Sequence, residues 1–308
     1  MLRTLARCAL ALLALGCGEY VAYEDGPPAT GPIGDGAGVL DDATRDAFAN
    51  ASRLDHLAFE GLLSRFVTES ADGRQTFVDY AGLAASPEAR YALAQYLGVL
   101  DLVDPANLAD GDERLAYWIN AYNANVIAGV LATWGEDPGY SVSDADFVFF
   151  KNPAYRVAGA LLSLDQIEQG VIRGQLDHAA VTAADSALRG QIAEWHQQIG
   201  ADPVDARIHV ALNCASLGCP DLPAASPFAY TGPGLDAELD RAARRFVQNP
   251  VKGAGPNGVS ALLVQFYPGD FEAEYGGWQG FVRAFASDPD AVAYDRVIEY
   301  DWTLNVTP

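Results

Sequence analysis

The sequence predicts an α+β fold, helix-rich in its first half and carrying a small, mostly antiparallel sheet in its second. Three observations predict it. Segments with apolar residues at helical spacing outnumber short β-branched runs. Those short runs fall mostly late in the chain. There is no internal repeat and no regular alternation of strand and helix, so segregated elements are favoured over a doubly wound sheet.

Taken in order, the first helix is expected over about 41–68, where Phe48, Leu54, Leu57, Leu62, Leu63 and Phe66 lie near helical spacing and no proline interrupts. "FVDYAGLAAS" reads as a short extended piece turning into a helix. Pro87 opens the next helix from its first turn. "DERLAYWINAYNANVIAGVLATW" is the strongest helix, with Leu115, Trp118, Ile119, Tyr122, Val126 and Val130 along one broad stripe. Asp112 and Glu113 at its start suit the helix dipole.

That helix carries Asn120, Asn123 and Asn125. Asparagine competes with the helix for backbone hydrogen bonds, so buried ones need partners. They either bond neighbouring loops or line a cleft. "DFVFFKNPAYRVAGALLSL" suggests short extended pieces around a turn. Ser163 with Gln166 forms a capping-box pattern for a helix through "SLDQIEQGVIR". A helix over about 184–198 is followed by "ARIHVALN", read as a buried strand. Later come a helix over about 236–247, a strand near 259–263, short helices over about 270–286 and a last strand near 296–301.

The N-terminus "MLRTLARCALALLALGCGEY" has a basic start, an apolar run shorter than a membrane span and small residues before Cys17. Residues 1–16 are read as a lipoprotein-type signal peptide, with Cys17 the lipid-bearing residue of a bacterial, membrane-anchored, extracytoplasmic protein. Ala14 stands where leucine is usual in that pattern. Residues 17–38, rich in Gly and Pro, read as a flexible tether. Residues 39–308 are then one α+β domain, long enough for a real core.

The net charge is −22, with 19 Lys plus Arg and no basic run. Nucleic acid is therefore not an expected partner, because binding it needs cationic neutralisation of phosphates. There is no G-x-S-x-G elbow, P-loop or Rossmann glycine pattern. No cofactor is expected, and the sequence carries no expectation about oligomeric state.

The chemistry-bearing stretch is "RIHVALNCASLGCP", with His209, Cys214 and Cys219. His209 and Cys214, if extended, would be about 16 Å apart. They meet only if the chain turns back near Asn213, and Ser216, Gly218 and Pro220 permit that. Three readings follow. Cys214 or Cys219 is a nucleophile with His209 as base, and nearby asparagines orient the ring or hold an oxyanion. Alternatively Cys214 and Cys219 form a small disulfide, consistent with an oxidising compartment. The third reading is a zinc site of His209, Cys214, Cys219 and Asp221, but its ligand spacing matches no common zinc pattern. His196, beside Trp195 in a helix, reads as a packed or surface residue, and His56 and His178 have no suggestive neighbours.

"VDYAGL", "RLAYWINAYNANVI", "LLSLDQIEQGVIR", "ARIHVALNCASLGCP" and "YDWTLN" occur in an order that resembles the domain of unknown function 547 family, from about residue 75 onward. That family is similar in fold to papain-like thiol hydrolases with rearranged chain order. The resemblance implies a cysteine-dependent hydrolase of small peptides or amides. Cys214 is then the nucleophile and His209 the base, with Asn120 and Asn123 lining the cleft opposite and Glu168 giving a supporting polar contact. Relatives often read I-E-H-G where this chain has Gln169, which puts a role for that histidine in doubt here. The alternative is a non-catalytic envelope lipoprotein that binds a partner or small ligand, with Cys214 and Cys219 bridged.

Overall fold

The computed structural model describes residues 41–134 and 140–308. The expected signal peptide, Cys17 and tether lie outside the described residues. Among the described residues no helix is long and apolar enough to cross a membrane.

The expected first helix is two helices, α1 (Asp42–Ala49) and α2 (Leu57–Phe66). Asn50 stops α1 by donating its side-chain N–H to the Asp46 carbonyl, and Asp55 accepts the Leu57 N–H to start α2. Short polar side chains that bond nearby backbone end a helix that apolar spacing alone would continue. An antiparallel hairpin follows, β1 (Val67–Glu69) with β2 (Thr76–Val78). Next come α3 (Tyr80–Ala85) and α4 (Pro87–Leu102), the latter capped by Ser86 with Pro87 in its first turn.

Helix α5 (Gly111–Thr133) is the axis of the molecule. The stripe expected on it is in fact a full circumference: Leu115 to Ala128 and Val130 are buried on all sides. A helix with no polar face belongs inside a core. It is covered by α4, by a later helix over Ser186–Ile199 and by the turn at Gly232–Gly234. Trp118, wholly buried, meets Trp195 at a centroid distance of 5.1 Å.

Helix α6 (Asp144–Lys151) opens with a left-handed turn at Ala145–Phe147, where the sequence suggests extended pieces. The hairpin β3 (Tyr155–Val157) with β4 (Ala160–Leu162) follows. The capping box forms as expected: Ser163 N–H donates to Gln166 Oε1 (2.9 Å), and Gln166 N–H to Ser163 Oγ (3.1 Å). It opens a wide-wound π-helix, Gln166–Ile172, and then α7 (Ala179–Thr182) and α8 (Ser186–Ile199).

The main correction is at "ARIHVALN". It is a 3₁₀ helix over Ala206–Val210, not a strand. Asp205 accepts the Arg207 N–H (2.9 Å), and Arg207 is pinned by Asp205, Asp236 and Asp240. A short buried apolar run has the same pattern in either conformation. Helix α9 (Leu235–Val247), β5 (Ala254–Gly255), β6 (Gly258–Ser260), a second π-turn at Leu262–Phe266, α10 (Glu272–Tyr275), α11 (Trp278–Phe285) and β7 (Val297–Ile298) complete the order. Strands β5 and β6 are antiparallel, and β6 and β7 are parallel. The protein is an α+β fold with small, mostly antiparallel sheets.

Two hydrophobic cores result among the described residues. The larger surrounds α5, and the smaller packs Val210, Phe246, Val259, Leu263, Phe271 and Phe281. The 3₁₀ turn runs between them and contributes Ile208 to the first and Val210 to the second. The chain that leaves it therefore emerges at the seam.

Candidate active site

The loop after the 3₁₀ turn is folded back by one asparagine. Asn213 Oδ1 accepts the Ala215 N–H (3.0 Å), and its Nδ2 donates to the Pro220 carbonyl (2.7 Å). Ala215 is held at φ 65°, left-handed for a residue with a side chain. The loop is then zipped to a distant segment: Leu217 N–H bonds Thr303 O (2.7 Å), Gly218 N–H bonds Asp301 O (2.8 Å), and Asn305 N–H bonds Ala215 O (3.0 Å). This zipper carries Tyr300 and Trp302 to the mouth of the loop. A Cβ at Gly218 would sit 2.7 Å from the Asp301 nitrogen. Gly218→Ala is expected to lower stability by about 1–3 kcal/mol, as overpacking against backbone does, read from the denaturant midpoint.

Both cysteines are free thiols; Cys214 is partly exposed and Cys219 buried. The Cys214 N–H donates to Cys219 Sγ (2.7 Å). The Cys214 sulfur is also met by Ser216 Oγ (3.1 Å) and Tyr300 Oη (3.0 Å). Burial by itself would push the Cys214 thiol up, but hydrogen bonds from Cys219, Ser216 and Tyr300 outweigh it and bring it down to about 7. Cys219 goes the other way, pushed up by burial and by the neighbouring Cys214. Burial and the same sulfurs keep the Tyr300 phenol protonated, and so able to donate.

His209 faces the same cleft from the 3₁₀ turn. Its Nε2 bonds Asp270 Oδ2 (2.8 Å), and its ring stacks on Tyr267 at 3.9 Å. Arg173 grips Asp270 with both arms (2.7 and 3.0 Å). Burial would raise the Asp270 carboxyl, but the bonds from His209 and Arg173 hold it well below the usual range. Burial, helped by Arg173, keeps His209 below its ordinary value against the pull of Asp270. The proton of the neutral ring must therefore sit on Nε2, facing the carboxylate. That leaves a lone pair on Nδ1, which is buried and has no hydrogen-bond partner among the described residues. An acceptor in that state is a base waiting for a proton.

Behind the ring, Tyr267 donates to Glu168 Oε1 (2.6 Å), which Gln169 Nε2 also meets (3.1 Å). Gln169 Oε1 accepts from Arg173, which lies 4.8 Å over the Tyr267 ring. The Gln169 amide thus joins Glu168 to Arg173.

Cys214, Cys219, His209, Glu168 and Gln169 line one cleft of about 230 Å³, walled by aromatic rings that include Phe147, Phe266, Tyr300 and Trp302. His209 and Cys214 are thus brought together in one cavity, though no hydrogen bond joins them. Asn120 and Asn123 do not line it. Both are buried behind it and hold backbone: Asn120 takes the Tyr230 N–H (3.0 Å) and returns a bond to its carbonyl (2.7 Å). Asn123 takes the Asn213 N–H (2.8 Å) and donates to Ala211 O (3.0 Å). From α5 it is Tyr122 that reaches the cleft, while these two asparagines serve the loops. Asp221 is elsewhere too, in an ion cluster with Lys252 (2.8 Å) and Arg245 (3.3 Å). His56 bonds Tyr96, His178 caps α7, and His196 bonds the Val171 carbonyl.

Asp270, Arg173, Tyr267 and Ser216 were not legible as site residues. Asp270 is 61 positions from His209 in the chain, in a Pro-Gly-Asp turn that reads only as a turn. Tyr300 lies in the quoted terminal motif, but nothing in its spacing announces a sulfur contact.

The profile of the family described as "Protein of unknown function, DUF547" matches residues 105–247, a segment that includes Glu168, His209 and both cysteines. No curated protein and no solved structure matches the chain.

Proposed function

From a chain whose residues 105–247 belong to the DUF547 family, we propose a cysteine-dependent hydrolase of small peptides or amides. The single observation that carries this reading is an acidified, partly exposed thiol sharing a cleft with a neutral imidazole whose free nitrogen is a base. Cys214 attacks the carbonyl. His209 Nδ1 receives the thiol proton across the cleft and returns it to the leaving amine; such contacts are often long before substrate is bound. Asp270 holds the ring in the required tautomer, as the third member of such sites does. The protonated Tyr300 hydroxyl is a donor beside the reacting sulfur. The cleft, at about 230 Å³, lies below the roughly 300–1,000 Å³ of drug-sized sites, which supports a small substrate. The N-terminal sequence supports an exported form, lipid-anchored at Cys17.

Iodoacetamide labelling of the reduced protein, read at Cys214 by peptide mass spectrometry, tests the reading. The rate is expected to rise with pH through a midpoint near 7, because the thiolate is lost as pH falls through that value, and not near the ordinary 9.0 of a free thiol. Cys214→Ser and His209→Ala are then compared with the native protein on a panel of small amides. Labelling that rises only near the ordinary value, or turnover that survives Cys214→Ser, overturns it.

A further inference from the structure

Cys219 makes no bond to substrate in the hydrolysis just described; it only helps to acidify Cys214. It is buried, and hydrolysis needs only one sulfur. Yet it is held against the other: Cys214 donates its backbone N–H to Cys219 Sγ at 2.7 Å. Its remaining polar contact is the Leu212 carbonyl at 3.6 Å. The backbone around the pair is clamped by Asn213 and by the zipper to residues 301–305. Within that clamped loop the Cys219 sulfur already lies 2.7 Å from the Cys214 backbone nitrogen.

The two sulfurs are also unequal. Both line the cleft, but Cys214 is partly exposed and Cys219 is buried. A small oxidant therefore meets Cys214 first, and Cys219 can react only with what Cys214 has become. Two hydroxyls, Ser216 and Tyr300, already lie on the exposed sulfur at 3.1 and 3.0 Å, where an oxygen leaving it would need a proton.

We propose that this cleft also reduces small hydroperoxides, with Cys214 as the attacking sulfur and Cys219 as the resolving one, and that the resulting disulfide switches the nucleophile off. The Cys214 thiolate attacks the terminal oxygen of ROOH. The S–O bond forms as the O–O bond breaks, and the electron pair leaves on RO⁻, which takes a proton and departs as ROH. Cys214 is now a sulfenic acid. The Cys219 sulfur attacks it, the S–S bond forms, and hydroxide leaves with the Cys219 proton as water. In sum, two thiols and one hydroperoxide give one disulfide, one alcohol and one water. A dithiol reductant returns both thiols. The inference uses the acidified Cys214 but not its hydrolytic role.

The test is made on the full chain, reduced, freed of reductant and treated with hydrogen peroxide, with products read by peptide mass spectrometry. The expected result is a Cys214–Cys219 cross-linked peptide, reversed by dithiothreitol, with peroxide consumed in step. Cys219→Ser is expected to leave a sulfenic acid on Cys214 that dimedone traps, and Cys214→Ser to consume peroxide no faster than background. A native Cys214 that stays a thiol, or passes to the sulfinic acid while Cys219 remains free, overturns the proposal. The wild-type result stands without any variant. No amide substrate enters the assay, so a protein inactive on amides can still pass it, and an active hydrolase can still fail it.

Discussion

Asp270→Asn is expected to lower kcat/KM on small amides by about 10²–10⁴-fold, the range that positioned acid–base groups supply. The carboxylate accepts the His209 Nε2 proton and thereby leaves the lone pair on Nδ1. An amide in its place can present an N–H to the same nitrogen, which reverses the tautomer and removes the base. It also releases Arg173, which bonds both carboxylate oxygens. The donors on Cys214 are untouched, because Ser216, Tyr300 and Cys219 lie elsewhere. Iodoacetamide labelling of Cys214 in this variant should therefore keep its midpoint near 7 while turnover collapses. A parallel fall in both would mean that Asp270 merely supports the fold.

Asn123→Ala is expected to cost about 2–6 kcal/mol of stability. It leaves two buried backbone groups, the Ala211 carbonyl and the Asn213 N–H, without partners. Each such orphan costs about 1–3 kcal/mol, against a total stability of roughly 5–15 kcal/mol for an ordinary domain. Urea unfolding monitored by tryptophan fluorescence measures it. The loss should appear as a lower midpoint with an unchanged slope. If instead the midpoint holds and only turnover falls, Asn123 acts on substrate and not on the loop.

These two cases mark what the chain made readable. Helices α4 and α5 were legible, because the proline or acids at their starts and their apolar spacing are local. The capping box at Ser163 and Gln166 formed as spaced. The run at Ala206–Val210 was not legible, because a buried apolar segment looks alike as strand or helix; what decided it was Asp205 and the pinning of Arg207 by acids from α9. The cysteines and histidine announced themselves as rare residue types. Their partners did not: Asp270 and Tyr300 reach the site through turns and pairings far along the chain. The asparagines of α5 were visible as an anomaly, but whether they faced solvent or backbone depended on what surrounds that helix.

The zipper between 215–218 and 301–305 sets a condition on the timing of activity. Residues 305–307 are tied in turn to Val78 near the other end of the domain. On the ribosome, the growing chain holds the Cys214 sulfur without the phenol and indole that share its cleft. Chemistry at that sulfur must wait until residue 307 has emerged, so synthesis itself acts as a safety catch.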